Sequence, residues 1–84
     1  MENKVRTEEE ILKDFENLNW NVDENNNERL RLSYKKKNGY YEYLEIDKEY
    51  KDYCRYEQHT FVTCYIPINQ HKLLNELFSI WGWL

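Results

Sequence analysis

Cys54, His59, Cys64 and His71 are all of the cysteines and histidines in the chain. By type they form a zinc-ligand set, since thiolate and imidazole are the usual ligands of that ion. Their spacing argues the other way. Neither a C-x₂-C pair nor an H-x₃-H pair occurs, and structural zinc sites are built from such pairs. No metal and no cofactor is therefore expected. Catalytic signatures are missing as well: there is no G-x-S-x-G, no phosphate-cradling glycine loop and no H-E-x-x-H. The paired acids of "TEEE" are explained by the start of a helix. The chain is expected not to be an enzyme.

Tyrosine and arginine are the more informative residues. Eight of the 84 residues are tyrosine. Tyr and Arg are the residues that binding hot spots favour, and aromatics on an open sheet also stack nucleic-acid bases. Alternation places Arg31, Tyr43, Glu45, Tyr53, Arg55, Phe61 and Tyr65 on one sheet face, as an Arg31–Glu45–Arg55 ladder flanked by aromatics. A second candidate surface is acidic: Glu8, Glu9, Glu10, Asp14 and Glu16 lie within one helix. The lysines of "RLRLSYKKKNG" form a basic patch at Lys35, Lys36 and Lys37.

Elements must position these groups. "RTEEEILKDFENLNW" has both ends of a helix written into it. Thr7 with Glu10 makes a capping box, and Ile11, Leu12, Phe15 and Leu18 recur at helical spacing. Asn19 suits the left-handed residue that ends a helix. Trp20–Val22 is a possible strand start, and "DENNNE" reads as a polar loop. "RLRLSYKKKNGYYEYLEID" reads as a hairpin. A three-residue loop, Lys37-Asn38-Gly39, sets Leu32 opposite Leu44, Leu30 opposite Ile46, Arg31 opposite Glu45 and Arg29 opposite Asp47. Every pair is then matched in kind, which a two-residue turn does not achieve.

The next strand is expected to place Cys54 opposite Ile46, Arg55 opposite Glu45 and Tyr56 opposite Leu44. A last hairpin about His59 pairs Tyr56 with Val62 and Cys54 with Cys64. The core face would then hold Leu30, Leu32, Leu44, Ile46, Cys54, Tyr56, Val62, Cys64 and Ile66. Pro67 stops the last strand, and Asn69 caps a second helix with the stripe Leu73, Leu74, Leu77, Phe78 and Trp81. Gly82 is expected in the left-handed conformation, with Trp83 folding back onto Phe78. The architecture predicted is α+β: residues 1–84 as a single domain of helix, antiparallel meander of three to four strands, and helix. Both helices should cover one sheet face, because only one face is apolar.

Charge narrows the partners. The net charge is −4, against what a general phosphate-backbone binder needs. No apolar run reaches the roughly 20 residues of a membrane span, and "MENKVRTEEE" lacks an apolar signal core, so a cytoplasmic setting without membrane contact is expected.

The pattern "EILKDFENLNW…YLEIDKEYKDY…HKLLNELFSIWGWL" resembles small proteins carried by phages and prophages of AT-rich Gram-positive bacteria. In size, acidity and layout the chain is also similar to some anti-CRISPR proteins. That likeness implies an inhibitor that binds a host defence protein, with the five helix acids imitating phosphates. The order helix, three strands, helix is similar to double-stranded RNA-binding domains too, but "NQHK" departs from their lysine cluster. A host protein is thus the first expected partner and nucleic acid the second. A homodimer covering Trp83 and Leu84 is a third arrangement.

Overall fold

The computed structural model describes residues 5–58, 62–63 and 68–83. Helix α1 spans Glu8–Asn17. Its start is the expected capping box: Thr7 Oγ1 accepts from the Glu10 amide at 3.2 Å, and the Glu10 carboxylate accepts from the Thr7 amide at 3.1 Å. Three glutamates in the first turn add to the favourable end of the helix dipole.

Five antiparallel strands follow: β1 Asn21–Asn25, β2 Arg29–Lys35, β3 Tyr41–Asp47, β4 Asp52–Glu57 and β5 Val62–Thr63. They lie side by side in chain order as a meander. The strand count exceeds the three to four expected. Asp23–Asn25, read from sequence as loop, continues β1, with a bulge between Val22 and Glu24. That bulge lets a polar stretch pair at an edge without keeping strict alternation. Asn26 makes the turn instead, its Oδ1 accepting from the Glu28 and Arg29 amides. Helix α2, Ile68–Ile80, closes the fold. It begins one residue before Asn69, which therefore lies inside the first turn and not at the cap.

The first hairpin has the expected register. Leu32 pairs with Leu44, Leu30 with Ile46, Arg31 with Glu45 and Arg29 with Asp47. Lys36 pairs through its amide with the Tyr40 carbonyl, leaving Lys37-Asn38-Gly39 as the loop. Gly39 has φ +90°, the left-handed conformation that this bulged turn requires.

The register of β4 is one residue away from the expected one. Ile46 faces Tyr53, Glu45 faces Cys54 and Leu44 faces Arg55. A one-residue slip sends every side chain of the strand to the other face. The cause is the turn: Asp47 Oδ1 accepts from the amides of Glu49 and Tyr50, and Lys51 takes φ +56°. Asp47 and Asp52 then pair directly, which fixes a four-residue connection. Tyr56 does pair with Val62 as expected. The expected contributions of Cys64, Ile66 and Pro67 lie outside the described residues.

Both helices cover one sheet face. The core joins Ile11, Leu12 and Phe15 of α1 and Leu73, Leu74, Leu77 and Phe78 of α2 to Leu30, Leu32, Leu44 and Ile46, together with Trp20. Tyr53 packs against this core at 5.5 Å from the Phe78 ring.

The two helices end alike. In α1, Asn19 has φ +72° and the Trp20 amide donates to the Phe15 carbonyl at 3.0 Å. In α2, Gly82 has φ +77° and the Trp83 amide donates to the Phe78 carbonyl at 2.8 Å. Each is the six-to-one closure in which the residue after the left-handed position folds back onto the last turn. The Trp83 and Phe78 rings stack at 5.0 Å, the contact expected from sequence. Charged groups fasten the ends of the fold. Arg6 bridges Asp14 of α1 and Glu76 of α2 at 2.5 and 2.7 Å. Glu8 accepts from Trp81 Nε1 at 2.8 Å, and Lys48 lies 5.0 Å over the Trp81 ring.

Candidate binding surface

The face of the sheet away from the helices carries Arg29, Arg31, Tyr41, Tyr43, Glu45, Cys54 and Tyr56, by the pairings of β2, β3 and β4. Alternation along each strand sends these residues one way and the core leucines the other. Tyrosines form its centre. Tyr43 lies 5.1 Å from Tyr56 and 6.2 Å from Tyr41, ring centre to ring centre. The Arg31 guanidinium sits 4.7 Å above the Tyr43 ring, a favourable cation–π distance. Ser33, opposite Tyr43, is buried beneath this layer.

The electrostatics are mixed. Arg29 approaches Glu45 at 3.9 Å. The Tyr56 hydroxyl is pushed above its ordinary pKa, first by burial and then by its hydrogen bond to Glu45, while Arg31 pulls weakly the other way. A shallow depression of about 230 Å³ beside these groups is lined by Arg29, Glu45, Asp47, Asp52, Tyr53 and Cys54. It offers carboxylates and one cation, with hydrogen-bonding capacity but no deep enclosure.

Of the residues expected on this face from sequence, Arg31, Tyr43 and Glu45 are brought together. Tyr53 and Arg55 are not. The register shift turns them to the helix-covered side, where Tyr53 joins the core. Arg55 pairs with Glu42, both largely shielded, and lies 5.8 Å over the Trp20 ring. Phe61 and Tyr65 lie outside the described residues, as do His59 and Cys64 of the zinc set. Among the described residues no group of three metal-ligating side chains converges. Tyr41, Cys54 and Tyr56 are the surface residues that sequence reasoning missed. For Cys54 and Tyr56 the signal was Asp47, whose side chain starts the turn that sets the β4 register; for Tyr41 it was the alternation of β3 itself.

The other two charged candidates change meaning. Glu10 is spent in the capping box, Glu8 holds Trp81 and Asn25, and Asp14 holds Arg6. Glu9 and Glu16 are exposed. In the lysine hairpin, Lys36 is turned to the helix-covered side and bound by Glu57 at 2.6 Å and Glu42 at 3.6 Å. Those carboxylates raise its pKa, the hydrogen bond to Glu57 first.

No helix among the described residues is long and apolar enough to cross a membrane. Comparison with protein-family models, with curated proteins and with solved structures finds no match to this chain.

Proposed function

We propose that this chain is a non-catalytic interaction module that binds a partner protein through the sheet face turned away from its helices. The observation that carries the reading is the Tyr41–Tyr43–Tyr56 cluster with Arg31 laid on it, away from both helices. Large rigid rings with an apolar face and a polar tip give contact area at low entropic cost, and arginine is the usual companion at interface centres. In the phage or prophage setting suggested by the sequence, the partner is a host defence protein and the module is its inhibitor.

The structure weakens support for the nucleic-acid reading. Arg55 and Lys36, two of the cations it relied on, are engaged with Glu42 and Glu57 on the other side of the sheet. Of the remaining ones, Arg31 stands opposite Glu45 and only Lys35 and Lys37 are exposed, whereas a phosphate backbone is attracted by clustered, uncompensated cations.

The test is an affinity capture from a Gram-positive lysate, with and without nuclease, using the native chain and Tyr43→Ala. A single protein retained after nuclease, lost on Tyr43→Ala and little affected by salt supports the module. Retained nucleic acid that vanishes with nuclease and weakens steeply with salt refutes it.

A further inference from the structure

We infer that the sheet face turned away from the helices recognises a carboxylate side chain of the partner protein, and that Arg31 is the group that meets it. This rests on the interaction-module reading and adds the partner's chemistry.

The chain has four arginines, all among the described residues. Three are paired: Arg6 with Asp14 and Glu76, Arg29 with Glu45, and Arg55 with Glu42. Arg31 has no ion pair among the described residues, although carboxylates stand opposite it on both neighbouring strands. Glu24 faces it from β1 and Glu45 from β3. Glu24 instead holds the Asn26 amide at 2.9 Å, and Glu45 serves Tyr56 and Arg29.

Arg31 is also held in place. Its Nε is buried with no acceptor, and the Tyr43 ring supports one side of the guanidinium plane. What remains for an incoming group is the Nη edge, a planar fork of donors that matches a carboxylate. An oriented, partly desolvated guanidinium without a counter-ion is incomplete in the isolated chain.

Its surroundings select the anion. Glu24 and Glu45 stand opposite Arg31 on its two neighbouring strands, and Asp47 and Asp52 line the depression beside Arg29 on the same face, so a phosphate chain meets more repulsion than attraction. One monovalent carboxylate, with apolar neighbours for Tyr43 and Tyr56 and a basic neighbour for the acid-lined depression, is complementary throughout. The partner segment therefore carries an Asp or Glu beside an apolar residue and a Lys or Arg.

The probe is a random-peptide display library panned on the full chain, followed by anisotropy titrations of the enriched peptides. Enriched peptides are expected to share an acidic residue. Arg31→Ala should weaken them about tenfold or more, as should Asp→Asn in the peptide, and the two changes together should cost little beyond either alone. Arg31→Lys should retain part of the affinity, since it keeps the charge and loses the fork. Lys13→Ala, on an exposed helix position, should change nothing. Urea midpoints check that each variant is folded; if Arg31→Ala is not, Arg31→Gln replaces it. Enriched peptides without an acid, no enrichment, an Arg31 variant within about twofold of the native chain, or preference for an oligothymidine probe each overturns the proposal. If Tyr43→Ala abolishes binding while Arg31→Ala does not, the surface stands and the carboxylate falls. If neither matters, both fall.

Discussion

Arg55 reports which way β4 faces, and so which β4 residues the candidate surface contains. Its guanidinium pairs with Glu42, with side-chain exposures of 12% and 15%. Removing one member of a fully buried pair costs about 3–5 kcal/mol. Here Glu42 keeps a second partner, Lys36 at 3.6 Å, so the loss approaches that of a charged hydrogen bond, about 1.5–3 kcal/mol. Arg55→Met, which keeps the stem and removes the charge, is expected to cost about 2 kcal/mol, and Glu42→Gln a similar amount. The double variant should fall short of the sum by about 1 kcal/mol or more.

A parallel cycle of Arg55→Met with Glu45→Gln should be additive to within about 0.5 kcal/mol, because Glu45 lies on the opposite face. Urea unfolding followed by tryptophan fluorescence measures both. With a slope of about 1 kcal/mol per molar, as for small domains, each kcal/mol moves the midpoint by about 1 M. Coupling to Glu45 with none to Glu42 would refute the register, and with it the assignment of Cys54 and Tyr56 to the open face.

Trp83→Ala removes the ring stacked on Phe78 and is expected to cost about 2 kcal/mol, summing part of a buried side chain and an aromatic pair; a thermal melt lower by about 10 °C checks it. Gly82→Ala should cost about 1 kcal/mol on conformational grounds alone, since an added Cβ meets no atom within 4 Å and only the φ of +77° resists it. The raised pKa of Tyr56 means its neutral form is favoured by folding, so this contribution is complete below the unfolded value near 10 and is lost as pH rises through the folded one. Tyr56→Phe should flatten that part of the stability profile, read as urea midpoints between about pH 9 and 12.

Much of the fold was legible because its signals are local. The capping box at Thr7, the loop at Gly39 and the closure at Gly82 each lie within a few residues, and each has one favourable backbone solution. The pairing of β2 with β3 was legible because four matched pairs agree. The strand "DYCRYE" gives no such vote. One alternation sets Cys54 and Tyr56 against Tyr53 and Arg55, so each face is part apolar and part polar whichever way it turns. The outcome was set by the Asp47 turn and by what Arg55 meets across the sheet, namely Glu42 and the Trp20 ring. The candidate site inherited that ambiguity: Arg31, Tyr43 and Glu45 on β2 and β3 were foreseen and its β4 residues were exchanged. Of β1 only the start at Trp20–Val22 was legible, since its bulged, asparagine-rich continuation has no periodicity to read.

The clasp of Arg6 and Glu8 on Glu76 and Trp81 joins residues 70 and 73 positions apart, with the whole meander enclosed in the loop between them. The hairpins close short loops, whereas the clasp must order nearly all of the chain before it is rewarded. Assembly order follows: the sheet, and with it the tyrosine face, is organised early, and the helices are fastened late. Contacts made after the folding barrier act on escape from the native state more than on arrival. The clasp is therefore a latch on lifetime, governing how often the chain opens, while the recognition surface is set by pairing decisions made before the latch engages.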